Sequence, residues 1–125
     1  MFVDQFLDAK DIAVGEKTYR ISRIPALDAQ SVYADIIRTT GDYGDLGMTM
    51  LPEQLAMRLL KYCAVKNEAG DWIVLDTRDV VNSYLTKTID LISLQMEMIN
   101  HNFSFFKDGS LTRLLGLPAA SKPNK

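Results

Sequence analysis

The feature that most limits how this chain can fold is a ladder of apolar residues towards its C-terminus. Leu85, Ile89, Ile92, Met96, Ile99, Phe103 and Phe106 are spaced 4-3-4-3-4-3. On a helix, that spacing keeps one stripe turned to a packing partner over about six turns. Leu91, Leu94 and Met98 add a second apolar stripe. A helix apolar on two sides belongs between layers or against another chain. Thr86 and Thr88 are β-branched and weaken its start, so a break is expected near residue 86. Asp108-Gly109 is a stop signal, glycine being favoured just past a helix end. Ser110 can then cap a short last helix through Leu115, closed by Gly116 and Pro118. The polar ending reads as a flexible tail. The domain expectation is one unit over residues 1–117 and a tail over 118–125.

Shorter elements precede the ladder. Residues 1–9 suit either a short helix or an arm that docks on a neighbour. Asp11 to Ile21 reads as a β-hairpin: Ile12 and Val14 alternate before the turn, Tyr19 and Ile21 after it, and Gly15 supplies a positive φ. Pro25 suits a helix start, with Ser22 as the nearest capping residue and Asp28 in the first turn. Ala29, Val32, Tyr33, Ile36 and Ile37 mark its apolar face, and Gly41 ends it. Residues 41–50, GDYGDLGMTM, read as a loop whose Asp and Gly are turn chemistry rather than a calcium site.

Pro52 opens a second helix, with Leu55, Ala56, Leu59, Leu60 and Cys63 along one face. Two short strands then flank a turn built on Asn67 and Gly70, with Trp72 and Val74 on one face and Ile73 and Leu75 on the other. Asp76 offers an N-cap for a following helix, and Asp79 lies in its first turn. The expected fold class is α+β: a mainly helical single domain of four to five helices, with one or two small β-hairpins on its side.

Composition narrows the function. A chain of 125 residues can build one core without disulfides or metal. The net charge of −2 gives no field that would draw in nucleic acid or an anionic membrane. Charge is uneven, because Lys107, Arg113, Lys122 and Lys125 face only Asp108 beyond residue 106. That contrast reads as a solvated tail. Cys63 is the one cysteine and has no disulfide or ligand companion. The acidic N-terminus does not read as a signal peptide, and no apolar run reaches the ~20 residues that a membrane span needs. The expectation is a cytoplasmic protein.

His101, the one histidine, has no ligand-spaced neighbours for zinc and reads as structural. No glycine-rich phosphate loop and no nominated carboxylate pair is present. We therefore expect no enzyme, no metal and no cofactor. What remains is surplus apolarity. Met96 and Met98 read as core, whereas Met48, Met50, Phe105, Phe106, Leu111, Leu114 and Leu115 are candidate partner-binding residues.

The layout resembles the small tail assembly chaperones of long-tailed bacteriophages and prophages. Three stretches carry the resemblance. One is the strand pair leading into Arg20 and the Ile24-Pro25-Ala26-Leu27 helix start. The second is the Leu55–Cys63 helix followed by a hairpin and the Asp76–Val81 helix start. The third is Asn102-Phe103-Ser104-Phe105-Phe106 with Leu111–Leu115 behind it. Together they span residues 10–115. The resemblance implies a protein of the host cytoplasm that is absent from the finished virion. It implies binding to the tape measure protein and help in recruiting tail tube subunits. It also implies a longer form made by frameshifting, and it brings no catalytic residues. Self-association is a further expectation, because the ladder exceeds what one small core needs to cover. Two other readings stand beside it: a structural tail-completion or connector subunit, and a small adaptor that binds nucleic acid through residues 107–125.

Overall fold

The structure, a computed structural model, describes residues 6–43 and 51–107, with side chains over 6–39 and 51–103. In chain order the elements are β1 (Leu7–Val14), β2 (Lys17–Arg23), α1 (Ala26–Tyr43), α2 (Glu53–Leu60), β3 (Cys63–Lys66), β4 (Trp72–Val74), α3 (Arg78–Tyr84) and α4 (Thr88–Lys107).

The four strands form one antiparallel sheet in the order β1-β2-β3-β4. This corrects the expected mainly helical body with small separate hairpins, since helix takes only a little over half of the described residues. Both hairpins are present, but β2 pairs with β3 and fuses them: Tyr19 faces Val65, Arg20 faces Ala64 and Ile21 faces Cys63. The reason is burial. Tyr19, Ile21, Cys63 and Val65 are all buried side chains, and only side-by-side pairing puts them on one covered face. Among the described residues the helix count is four; the expected last helix through Leu115 lies outside them.

Local chemistry sets each element. The β1–β2 turn holds Gly15 at φ +59°, as a tight hairpin turn requires. In the β3–β4 turn, Asn67 Oδ1 accepts from the Asp71 N–H at 2.9 Å, and Gly70 takes φ +87°. Residues 7–9, assigned to a helix or an arm, begin a strand instead. Cys63, expected on the second helix, opens β3, because α2 stops at Leu60 and Lys61 and Tyr62 turn the chain into the sheet. Burial pushes the Cys63 thiol well above its usual range, so it behaves as a small hydrophobe.

α1 runs past Gly41 to Tyr43. Ser22 is not its cap: it lies buried on β2 and donates from Oγ to the Tyr62 carbonyl at 2.7 Å. Thr77, not Asp76, caps α3, its Oγ1 accepting from the Val80 N–H at 3.2 Å. The expected break falls where predicted, since α3 ends at Tyr84 and α4 starts at Thr88.

α4 crosses the inner face of the sheet, packing chiefly on β2. Its deepest stripe is Leu94, Met98 and Asn102, with Gln95, Ile99 and Phe103 beside it. The ladder is therefore only partly core: Leu85, Ile99 and Phe103 are buried, while Ile89 is 65% exposed. The helix is seated towards the second stripe, which lies about 140° around the helix from the first. On the outer face, Arg20 binds Asp11 through two hydrogen bonds of 2.7 and 3.1 Å and lies 4.3 Å over the Trp72 ring. The Arg20 hydrogen bond holds the Asp11 carboxyl below its usual value.

Candidate functional site: an apolar groove at the end of α4

The groove begins where β2 leaves the sheet. Ile24 and Pro25 make the link to α1, and the Pro25 carbonyl accepts the Ala29 N–H at 2.8 Å to start the helix. α1 then presents Ala26, Ala29 and Tyr33 on one stripe. Opposite them stands the end of α4, where Phe103 has non-helical backbone angles (φ −128°, ψ 22°). The Phe103 and Tyr33 rings lie 5.1 Å apart with planes tilted by 44°, a favourable aromatic pairing. Leu7 closes the far end. These elements bound a groove of about 450 Å³ with mostly apolar walls. Leu27, on the adjoining turn of α1, is 82% exposed, and Leu7 is 51% exposed.

Asn102 holds the groove together from beneath. Its Oδ1 accepts the Ile24 N–H at 2.8 Å. Its Nδ2 donates to the Ser22 carbonyl at 3.1 Å and to the Met98 carbonyl at 3.0 Å. One buried amide thus fixes the β2–α1 link against α4 and satisfies backbone groups that would otherwise lack partners. His101, next to it, donates from Nε2 to the Asp8 carbonyl at 2.8 Å. The carbonyl can only accept, so that nitrogen carries the proton. Asp8 sits at φ +47° where the β1–β2 ladder shifts register. The histidine ties this irregular strand start to α4, a structural role of the kind its sequence context suggested.

The residues singled out from sequence fall differently. Phe105 and Phe106 lie in the last turn of α4, but their side chains are outside the described set. Met48, Met50, Leu111, Leu114 and Leu115 also lie outside the described residues. Sequence reasoning missed Leu7, Ile24, Pro25, Ala29 and Tyr33 as groove walls. The usable signal was the apolar face of α1, which the spacing of Ala29 and Tyr33 marks without saying what covers it. Burial pushes the Tyr33 hydroxyl above its ordinary pKa.

Among the described residues, no three His, Cys, Asp or Glu side chains are grouped so as to hold a metal ion. No described helix is long and apolar enough to cross a membrane. Comparison with protein-family models, with characterised proteins and with solved structures yields no match.

Proposed function

We propose that this protein is a non-enzymatic tail assembly chaperone of a long-tailed phage or prophage. In this reading it binds the tape measure protein in the host cytoplasm, helps recruit tail tube subunits, and stays out of the finished virion. The observation that supports the reading is the apolar groove between α1 and the end of α4. Its small Ala26 and Ala29 side chains and apolar walls suit the apolar face of an amphipathic helix. Long helical, apolar-striped chains are what an assembly chaperone has to cover, and a groove walled by Leu7, Ile24, Tyr33 and Phe103 gives their stripe somewhere to go.

The test is co-expression with the tape measure protein of the same phage or prophage. The expected result is more soluble tape measure protein and co-purification of the two chains. An Ala29→Glu variant, which places a carboxylate in the groove, should keep its helical circular dichroism and lose the co-purification. Unchanged tape measure solubility with no co-purification defeats the proposal. Recovery of the polypeptide from purified virions would instead favour the tail-completion or connector reading.

A further inference from the structure

The apolar surface around the α1–α4 groove is wider than the groove itself. Leu7 and Leu27 at its rim are more than half exposed. Ile37, one helical turn beyond Tyr33 on the same side of α1, is also more than half exposed. Apolar surface gathered in this way calls for a cover.

The groove opens beside the point where α4 runs out. Phe103 lines it, and Lys107 ends the helix four positions later, a rise of about 6 Å. The next four residues, from Lys107 to Leu111, reach up to about 13 Å when extended. A chain that turns back at Asp108-Gly109 therefore has length to spare to bring Leu111 level with Phe103. Residues 108–125 lie outside the described ones, and their sequence suits the place. Leu111, Leu114 and Leu115 are spaced so that a helix gathers them into one apolar patch. Ser110 before them and Gly116 and Pro118 after them would bound a helix of barely two turns, too short to hold without a surface to lie on. Charge favours the same contact. Up to residue 106 the chain carries 15 acidic and 10 basic groups, whereas residues 107–125 carry 4 basic and 1 acidic. The segment is drawn towards the body it would cover.

We propose that the Leu111–Leu115 segment of this same chain lies in the α1–α4 groove of the free protein, with its three leucines against Ala26, Ala29 and Tyr33. A tether of a few residues gives an effective concentration in the millimolar range, so a contact too weak to persist between separate chains is held here. An outside helix gains the groove only by displacing the segment. The covering stands apart from the tape measure reading; its role as a competitor rests on that reading.

The test uses the full chain and NMR. Nuclear Overhauser contacts are expected from the Leu111, Leu114 and Leu115 methyls to the Ala26 and Ala29 methyls and the Tyr33 ring, unchanged on dilution. Combining Leu111→Ser, Leu114→Ser and Leu115→Ser should abolish them and shift the groove resonances. The core methyls of Val65 and Leu94 should stay in place, which reports an intact fold. A synthetic peptide of residues 110–117, blocked at both ends, is then titrated into both forms. It should bind the triple variant roughly 10-fold more tightly than the unmodified chain, as for a groove covered by its own segment about nine-tenths of the time. Absence of the leucine contacts in the unmodified chain overturns the proposal, as does equal peptide binding to the two forms. Contacts that fade on dilution, or that appear between differently labelled copies, overturn it in favour of a second copy as the occupant. None of these measurements involves the tape measure protein, so a failure here leaves the groove reading standing, and a failed co-purification leaves the covering standing.

Discussion

Asn102 and Gln95 lie seven residues apart on the buried face of α4, and both carry a buried amide. Asn102, 6% exposed, accepts from Ile24 and donates to Ser22 and Met98. Gln95 is equally enclosed, yet its oxygen has no partner among the described residues. Two turns of helix separate a polar group that completes the fold from one that the fold leaves incomplete. The difference lies in what each one faces. Asn102 meets the β2–α1 link, where the chain leaves the sheet and exposes backbone groups that a ladder would otherwise satisfy. Gln95 meets side chains of α2 and α3, whose backbone groups are largely committed to their own helices. The same amide is therefore a brace in one place and a vacant acceptor in the other.

The contrast can be broken by substitution. The largest effect is expected from Asn102→Leu, which strands the Ile24 N–H and the Ser22 carbonyl in the core. A loss of about 3 kcal/mol or more in urea unfolding is expected. A loss under about 1 kcal/mol would mean the amide is not the brace described here.

An intermediate effect is expected where α4 begins. A Cβ added at Gly15 would lie 2.6 Å from Asp90 Oδ2, on backbone at φ +59°. Gly15→Ala should cost about 1–3 kcal/mol, and pairing it with Asp90→Ala should recover the steric part but not the backbone part. A double-mutant cycle reads the two apart.

The smallest effect sharpens the comparison from its other side. Gln95→Leu removes a buried group that has an unmet bond, so stability should stay level or rise by up to about 1 kcal/mol. A clear loss in thermal unfolding would show that Gln95 is satisfied after all and would remove the contrast with Asn102.

Much of the local structure was legible in the sequence. Alternation around Gly15 and around Asn67–Gly70 located both hairpins, because turn residues and two-residue periodicity are short-range signals. Thr86 and Thr88 likewise marked the break between α3 and α4. The joining of β2 to β3 was not legible. Tyr19 and Val65 are 46 positions apart, and nothing local in either strand names the other. Cys63 was misplaced for the same reason, since its spacing from Leu59 and Leu60 fits a helix and only the partner strand decides otherwise. The ladder located α4 but not its seating. Ile89 fits the period as well as Ile99 does, yet the fold buries one and leaves the other exposed. The groove was beyond periodicity altogether, because its walls come from Leu7, Ile24, Tyr33 and Phe103, which only the fold brings together.

The irregular start of β1 has a consequence for how this molecule behaves in a crowd of its own kind. β1 is an outer strand of the sheet, the sort of edge that templates fibre growth when it is long and flat. Here Asp8 twists the strand at φ +47°, His101 occupies the Asp8 carbonyl, and Lys10 and Asp11 put charge along the rim. A strand arriving from another copy would meet a bent backbone, an acceptor already taken and ions it would have to strip of water. The protein can thus display greasy helix surface at high concentration while the β1 edge of its sheet stays closed to polymerisation.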